Sequence, residues 1–499
     1  MSHDFLAIDL GAESGRAILA TLDDAPDGAP SGAHLSLTEI HRFPNNPVRL
    51  PDGLHWDILR LWSEIKTALG IAVHKHHVQL AGIGIDTWGV DYGLLDRNGA
   101  LIGNPYHYRD QRTDGMVDKA FEHLPRERIF ELTGIQFMQL NTLYQLFSLV
   151  VQQSPALQIA DTFLTMPDLF NYWLSGRKVC EFTMATTTQC YDPRRCEWSG
   201  PLLEALSIPI HIFPEVVQPG TVLGEVLPEI AEETGCGRVL IIAPACHDTG
   251  SAVAAVPAEA QHFAWISSGT WSIMGAEASD PIVNAQSLKF TFTNEGGVNG
   301  TWRFSKNIMG LWLVQECRRT WARAGEELSY TEITGLASEA EPFHSIIDVE
   351  DADFFQPGDM PARIQNYCRR TQQPVPETKG AIVRCALEGL ALKYRWVLER
   401  LEEMLGYRLD PVHIIGGGTQ NRLLNQLTAD ATNRSVVAGP SEATAIGNVL
   451  MQAVALGHFP SLDEARAVVR HSFKPETYEP QAAAEWDRAY RELGKFMEG

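Results

Sequence analysis

No cluster of lysines or arginines occurs along this chain, and acidic residues outnumber basic ones 62 to 40, for a formal charge of -22. A nucleic-acid partner needs a concentrated basic footprint, so none is expected. Cysteine is scarce too: there are eight, all in the last two-thirds of the sequence and none in a CxxC pair. That spacing excludes a disulfide framework and fits reduced thiols. The one metal-like cluster, His74, Lys75, His76 and His77, closes an amphipathic helical stretch and reads as a solvated helix end. No apolar run is long enough to cross a membrane, and the opening MSHDFLAIDLG lacks the charged start and apolar stretch of a signal peptide. A cytoplasmic protein is expected, as a monomer or small homo-oligomer.

What is present is ordinary for a soluble α/β chain: 44% apolar and 20% charged residues over 499 positions. One core stops growing near 250 to 300 residues, so two domains are expected, divided at 1–249 and 250–499. Phe5 to Leu10, Arg16 to Leu22 and His34 to Phe43 read as strands, with DDAPDGAPSGA a mobile loop between the last two. Trp56 to His77 reads as a helix with Leu59, Trp62, Ile65 and Leu69 on its inner face, and Ala81 to Thr87 as a buried strand. An echo follows Asp248. FAWISSGT and WSIMGAEA read as a strand pair, TWRFSKN as a third strand, Lys379 to Leu405 as a long helix, and Val412 to Ile415 as a strand ahead of a triple glycine. Two halves that open alike suggest a duplicated α/β unit with its site in the cleft between.

An acidic protein that handles a polyphosphate must gather positive potential locally, from backbone N–H groups, an occasional Arg and a bound cation. Five stretches qualify as chemistry. Asp9 to Arg16 forms a turn in which Gly11 and Gly15 expose backbone, Ser14 adds a donor and Asp9 could hold hydrated magnesium; a plain tight hairpin explains the glycines equally well. Ser267, Ser268, Gly269 and Thr270 form the matching turn of the second half. Gly416, Gly417 and Gly418 lead from strand to helix, with no Lys after them and no GxGxxG spacing, so neither common nucleotide loop applies. The alternative there is a close strand-to-helix crossing. Asp248 ends the apolar strand VLIIAPA, where a carboxylate can take a proton from an attacking hydroxyl, or can simply cap the next helix. Asp86, Trp88, Asp91, Tyr92, Tyr108, Arg109 and Asp110 offer aromatic faces beside charge, as a sugar requires, or form core aromatics with surface ion pairs.

With these residues in hand, the chain resembles the FGGY carbohydrate kinases over essentially its whole length. The resemblance rests on AIDLGAESGR, IGIDTWGVDYGLLD, YRDQRT, GIQFMQLNTLYQL, MPDLFNYWLSG, ATTTQ, HDTGSAV, SSGTWSIMG, TNEGG, KNIMGLWLVQE, IIGGGTQNRLLNQL and AGPSEATAIGN. It implies an α/β fold of two ribonuclease-H-like domains of the actin and hexokinase type with an inter-domain cleft, the first binding sugar and the second nucleotide. It implies ATP and magnesium as cofactors and a small sugar as partner. GIDTWGVD, HDT and KNIMGLW are similar to the branch acting on L-rhamnulose, which would become L-rhamnulose 1-phosphate; L-fuculose and a non-catalytic actin-like sensor are the alternatives.

By match to the family's motifs, Asp248 would be the general base, and Gly89, His247, Asp248 and Thr249 would line the sugar. Ala12, Glu13, Ser14, Gly15, Arg16, Thr270, Asn307, Gln315 and Gly417 would meet ATP, with Asp9 near the metal. Glu13 and Thr419 depart from some relatives, which have Ser and Cys there. Glu13 would repel phosphate if it pointed inward, so it is expected to face solvent or pair with Arg16.

Overall fold

The computed structural model describes residues 1–25 and 32–497, so most of the loop expected at DDAPDGAPSGA lies outside the described residues. The chain divides into two compact units. One comprises Met1–Ala255, Ala278–Phe304 and Ala443–Phe473; the other comprises Val256–Glu277, Ser305–Glu442 and Lys474–Gly499. The sequence-based division at 249/250 falls just before the first passage between them. The later returns of the chain come from packing that pairs residues hundreds of positions apart.

In the first unit a six-stranded sheet runs Thr221–Glu225, Leu240–Ala243, Leu80–Thr87, Ser2–Leu10, Ser14–Asp23, His34–Pro44. Ser2–Leu10 pairs antiparallel with Ser14–Asp23 and parallel with Leu80–Thr87, which itself lies parallel to Leu240–Ala243. The strand Leu80–Thr87 shows why AGIGIDT alternates. Ile83 and Ile85 point into the core that holds helix Ile58–His74. Gly82 and Gly84 face the other way, where a Cβ on Gly84 would stand 2.3 Å from Asn448 Oδ1 and one on Gly82 would stand 2.9 Å from Gln452 Oε1. Bare backbone in a strand thus lets helix Ala443–Ala455 seat closely on the sheet.

Helix Ile58–His74 starts at Asp57, whose carboxylate accepts the Arg60 N–H, and it buries Ile58, Leu61, Ile65, Ala68, Leu69 and Ala72. The expected inner face is therefore corrected by one residue: Leu59 is 66% exposed. A residue one position off the stripe turns about 100° away from it, and the small Ala68 and Ala72 admit closer contact than Leu59 would.

The second unit repeats the plan. Ala264–Ser268 pairs antiparallel with Trp271–Ala278 and parallel with Val412–Ile415, in a sheet that continues through Val436–Ala438 to Glu476–Tyr478. The strand Trp302–Met309 pairs next to Trp271–Ala278, and its first three residues, Trp302 to Phe304, are counted with the first unit. The helix Lys379–Leu405 is framed by Thr378, which accepts the Ala381 N–H, and by Gly406 in the left-handed region at φ 79°. The C-terminal helix Ala483–Met497 stays in this unit, held by Arg395 Nη1 to Asp487 at 2.7 Å and Tyr490 Oη to Glu399 at 2.7 Å.

Helix Ala443–Ala455 approaches helix Asp248–Ala254 closely enough that a Cβ on Gly447 would lie 1.7 Å from the Ser251 carbonyl oxygen. Gly447→Ala forces these helices apart and is expected to cost about 1–3 kcal/mol or more, read as a lowered melting temperature. An unchanged melting temperature would show that the contact relaxes freely.

Candidate active site

Parallel pairing of Ser2–Leu10 with Leu80–Thr87 places Asp9 directly beside Asp86. Asp9 is paired with the Arg16 guanidinium across the hairpin. Asp86 is fully buried; it accepts the Asn448 amide at 2.6 Å through Oδ2, and its Oδ1 has no hydrogen-bond partner. Burial above all, then the Asp9 charge and, more weakly, Asp248, push its carboxyl well above the usual range against the pull of Asn448. Hard oxygen donors with an orphaned buried oxygen suit a small divalent cation held by one or two carboxylates. Among the described residues no cluster of three or more His, Cys, Asp and Glu could hold a metal without other ligands.

Asp248 is the first residue of helix Asp248–Ala254; the cap position belongs to His247, whose side chain makes no capping bond. The Asp248 side chain is 32% exposed, and its Oδ1 accepts Thr249 N at 2.5 Å and Thr249 Oγ1 at 3.1 Å. The segment before it is held from beneath. Buried Glu181 accepts Cys246 N at 3.1 Å and Thr183 Oγ1 at 2.5 Å, and Thr183 Oγ1 accepts His247 N at 3.0 Å. The His247 ring lies between Asp248 and an ion pair whose Arg is buried: Nε2 is 3.5 Å from Asp248 Oδ1, and Nδ1 is 2.9 Å from Arg303 Nη2. Arg303 also reaches Glu295 Oε2 at 3.0 Å and the Gly296 carbonyl at 2.8 Å. Burial would lift the Glu295 carboxyl, but its charged neighbours, the Arg303 guanidinium foremost, outweigh burial and bring it to about 2.

Gly89 brings its backbone against the same ring: a Cβ there would stand 3.3 Å from His247 Nε2 and 3.4 Å from Thr187 Oγ1. The next residue, Val90, holds φ at 71°, a strained value for a β-branched side chain. Asp91 fixes this turn. It is fully buried and accepts Trp56 Nε1 at 2.6 Å, Trp88 Nε1 at 3.0 Å, Tyr108 N at 3.2 Å and Gln145 Nε2 at 2.8 Å. Trp56 lies with ring centroids 4.0 Å from Trp88 and 4.2 Å from His107, so the aromatics form a packed wall behind the turn. Asp110 is also buried, on Leu54 N at 2.7 Å and Arg112 N at 3.0 Å. The acidic residues of this stretch thus tie backbone and indoles together, and neither Asp91 nor Asp110 forms a surface ion pair.

In the phosphate-type turn Gly11 N donates to Ser14 O at 3.0 Å, while Gly15 is buried with its Cβ position 2.3 Å from the Phe43 ring. Gly15 therefore has a packing reason of its own. Glu13 is exposed. In the second unit the three glycines divide their work. Gly416 takes φ 84°, and a Cβ on Gly418 would lie 2.0 Å from Ser268 Oγ, so these two serve the close crossing. Gly417 is exposed with nothing within 4 Å of its Cβ position, leaving bare backbone beside the Thr270 turn strand. Thr419 Oγ1 donates to the Gly416 carbonyl at 2.8 Å. Thr270, Asn307 and Gln315 are each partly exposed in the same unit, and Trp312 N, near Gln315, donates to Thr270 O at 3.1 Å.

The structure therefore brings Gly89, His247, Asp248 and Thr249 into one place in the first unit, with Asp9 and Arg16 at the neighbouring strand ends. Sequence reasoning left Glu181, Glu295, Arg303 and Asn448 without a role, and it read Asp86 as a sugar-facing group and not as a partner of Asp9. For Asp86 the signal was its position at the end of a strand like that of Asp9.

Residues 5–255 match the profile of the FGGY family of carbohydrate kinases, N-terminal domain, and residues 264–456 that of its C-terminal domain. A rhamnulokinase of Bacteroides thetaiotaomicron is 44% identical over 490 residues, covering 98% of each chain. One from Oceanobacillus iheyensis is 40% identical over 473 residues, covering 95% of this chain and 97% of the relative. Among solved structures, a gluconate kinase from Lactobacillus acidophilus superposes with a TM-score of 0.80 at 15% identity, covering 100% of this chain and 98% of the other. A xylulose kinase from Rhodospirillum rubrum gives 0.80 at 18% identity, covering 99% and 98%. The structural likeness establishes the two-domain fold.

Burial lifts the Asp91 carboxyl to about 6, against the pull of its Gln145, Trp56 and Trp88 donors and of the Arg112 charge. Because its folded value lies above the unfolded one, stability from this group declines as pH rises from about 4 to 6, by at most about 1.4 kcal/mol per pH unit. Asp91→Ala strands two buried indole N–H groups and is expected to lose about 3 kcal/mol or more at neutral pH, and to lack that slope. Denaturant titrations of both proteins at pH 4.5 and 7 check this; parallel losses at the two pH values would contradict it.

Proposed function

We propose that this chain, which belongs to the FGGY family of carbohydrate kinases, transfers the γ-phosphoryl group of ATP to the primary hydroxyl of L-rhamnulose, giving L-rhamnulose 1-phosphate. The choice of sugar follows the rhamnulokinases that it resembles at 40–44% identity. The observation that carries the reaction is Asp248: a partly exposed carboxylate in the first turn of a helix, with His247 and Gly89 around it. Asp248 is the general base that takes the hydroxyl proton; Gly89, His247 and Thr249 line the sugar.

ATP is met by the turn Ala12, Glu13, Ser14, Gly15 and Arg16 and, in the second unit, by Thr270, Asn307, Gln315 and Gly417. This keeps the sugar in the first domain and divides the nucleotide contacts between the two. Asp9, with Asp86 beside it, would hold magnesium, which neutralises charge on the phosphates when bound. Phosphoryl transfer has a loose transition state, so alignment and fixed donors supply most of the acceleration, and the base adds about 10²- to 10⁴-fold. Among the described residues no helix is long and apolar enough to cross a membrane.

Two measurements test this reading. A coupled ADP-release assay with magnesium across a ketose panel is expected to favour L-rhamnulose over L-fuculose. A preference of tenfold or more in kcat/KM for another ketose, about 1.4 kcal/mol, would overturn the substrate but leave the kinase. Gly417→Val places a side chain on open backbone and is expected to raise the Kd for ATP while leaving folding intact; unchanged ATP affinity would move the nucleotide elsewhere.

A further inference from the structure

The contact between Arg303 and His247 fixes something the reaction needs. A guanidinium has five N–H donors, no acceptor and no accessible neutral form. Its Nη2 stands 2.9 Å from His247 Nδ1, so that ring nitrogen must be the acceptor. Glu295 competes for the same nitrogen, which would make it a donor instead, but Glu295 lies farther off at 3.4 Å and is itself engaged by Arg303 Nη2 at 3.0 Å. Arg303 cannot swing away, because its side chain is 1% exposed and its Nε is bonded to the Gly296 carbonyl at 2.8 Å.

A neutral imidazole whose Nδ1 accepts carries its proton on Nε2. That nitrogen faces Asp248 Oδ1 at 3.5 Å and the bare backbone of Gly89, where an added Cβ would crowd it at 3.3 Å. We propose that Arg303, braced by Glu295, is a positioning residue that sets the tautomer of His247, so that Nε2–H donates to an oxygen of the bound sugar next to the hydroxyl that Asp248 deprotonates. The opposite tautomer would present a lone pair toward both the Asp248 carboxylate and the sugar's oxygen, and could hold that oxygen only by turning its hydroxyl proton. The proposal rests on the reading of Asp248 and His247 as sugar-side groups. It adds a determinant of sugar affinity contributed by the strand Trp302–Met309.

The test joins a spectroscopic and a kinetic readout. Long-range 15N–1H spectra of the 15N-histidine-labelled wild-type protein, with His247 assigned by loss of its signals in His247→Gln, are expected to show the Nε2–H tautomer. A ring protonated on Nδ1 overturns the proposal without any variant of Arg303. Arg303→Met is expected to move the ring toward Nδ1–H and to raise KM for the sugar about tenfold, the scale of one hydrogen bond, with KM for ATP within about twofold. Arg303→Lys, which can still donate to Nδ1, recovers part of the loss. Unchanged sugar KM in a folded Arg303→Met, or equal losses toward sugar and ATP, overturns it. A wild-type protein inert toward every ketose defeats the functional reading instead, and the ring spectra still decide the tautomer.

Discussion

Like charges placed side by side must be neutralised or they force the backbone apart, and this chain sets Asp9 against Asp86 in register on adjacent parallel strands, with Asp248 near enough to add to the repulsion. Much of the first unit answers that constraint. Arg16 crosses the hairpin to pair with Asp9, and Asn448 reaches Asp86 from a helix more than 350 positions away in sequence. For Asn448 to arrive, the strand beneath it must be Gly82 and Gly84, and for its helix to seat there Gly447 must touch the backbone of Ser251. Ser251 belongs to the helix that Asp248 begins. One electrostatic requirement thereby links the sheet, the late helix and the proposed base.

The same region separates carboxylates by environment. Asp91 and Glu181 are buried and surrounded by donors, so they hold backbone in place; Glu295, partly buried, packs against an Arg and braces it. Asp248 alone of these keeps a third of its side chain exposed and has a His ring beside it. A buried carboxylate enclosed by donors cannot reach a substrate hydroxyl whatever its proton affinity, whereas a partly exposed one can. That contrast, more than the motif, is why Asp248 is the group to which the chemistry is assigned.

How much of this was legible in the sequence depended on range. The strands Ser2–Leu10, Ala264–Ser268 and Val412–Ile415 and the helix Lys379–Leu405 were readable, since local periodicity and caps define them. The face of helix Ile58–His74 was misjudged by one position, because Leu59 and Ile58 are equally apolar and only packing against the sheet chooses between them. The return of Ala443–Ala455 to the first unit left no local trace. Within the site, Asp248, His247 and Gly89 stood out through their motifs. Glu181 and Arg303 did not, because their function lies in holding other residues, and a holding contact is visible only when both ends are in place.

The central claim is that Asp248 accepts the proton of the attacking hydroxyl. Turnover of Asp248→Asn with saturating ATP, magnesium and L-rhamnulose tests it most directly, alongside ATP binding by calorimetry on the same preparation. The amide keeps the shape but cannot act as the base, so kcat is predicted to fall about 10²- to 10⁴-fold while ATP affinity stays within about twofold. Turnover near that of the unaltered protein would contradict the account and leave Asp248 as the opening residue of a helix and nothing more.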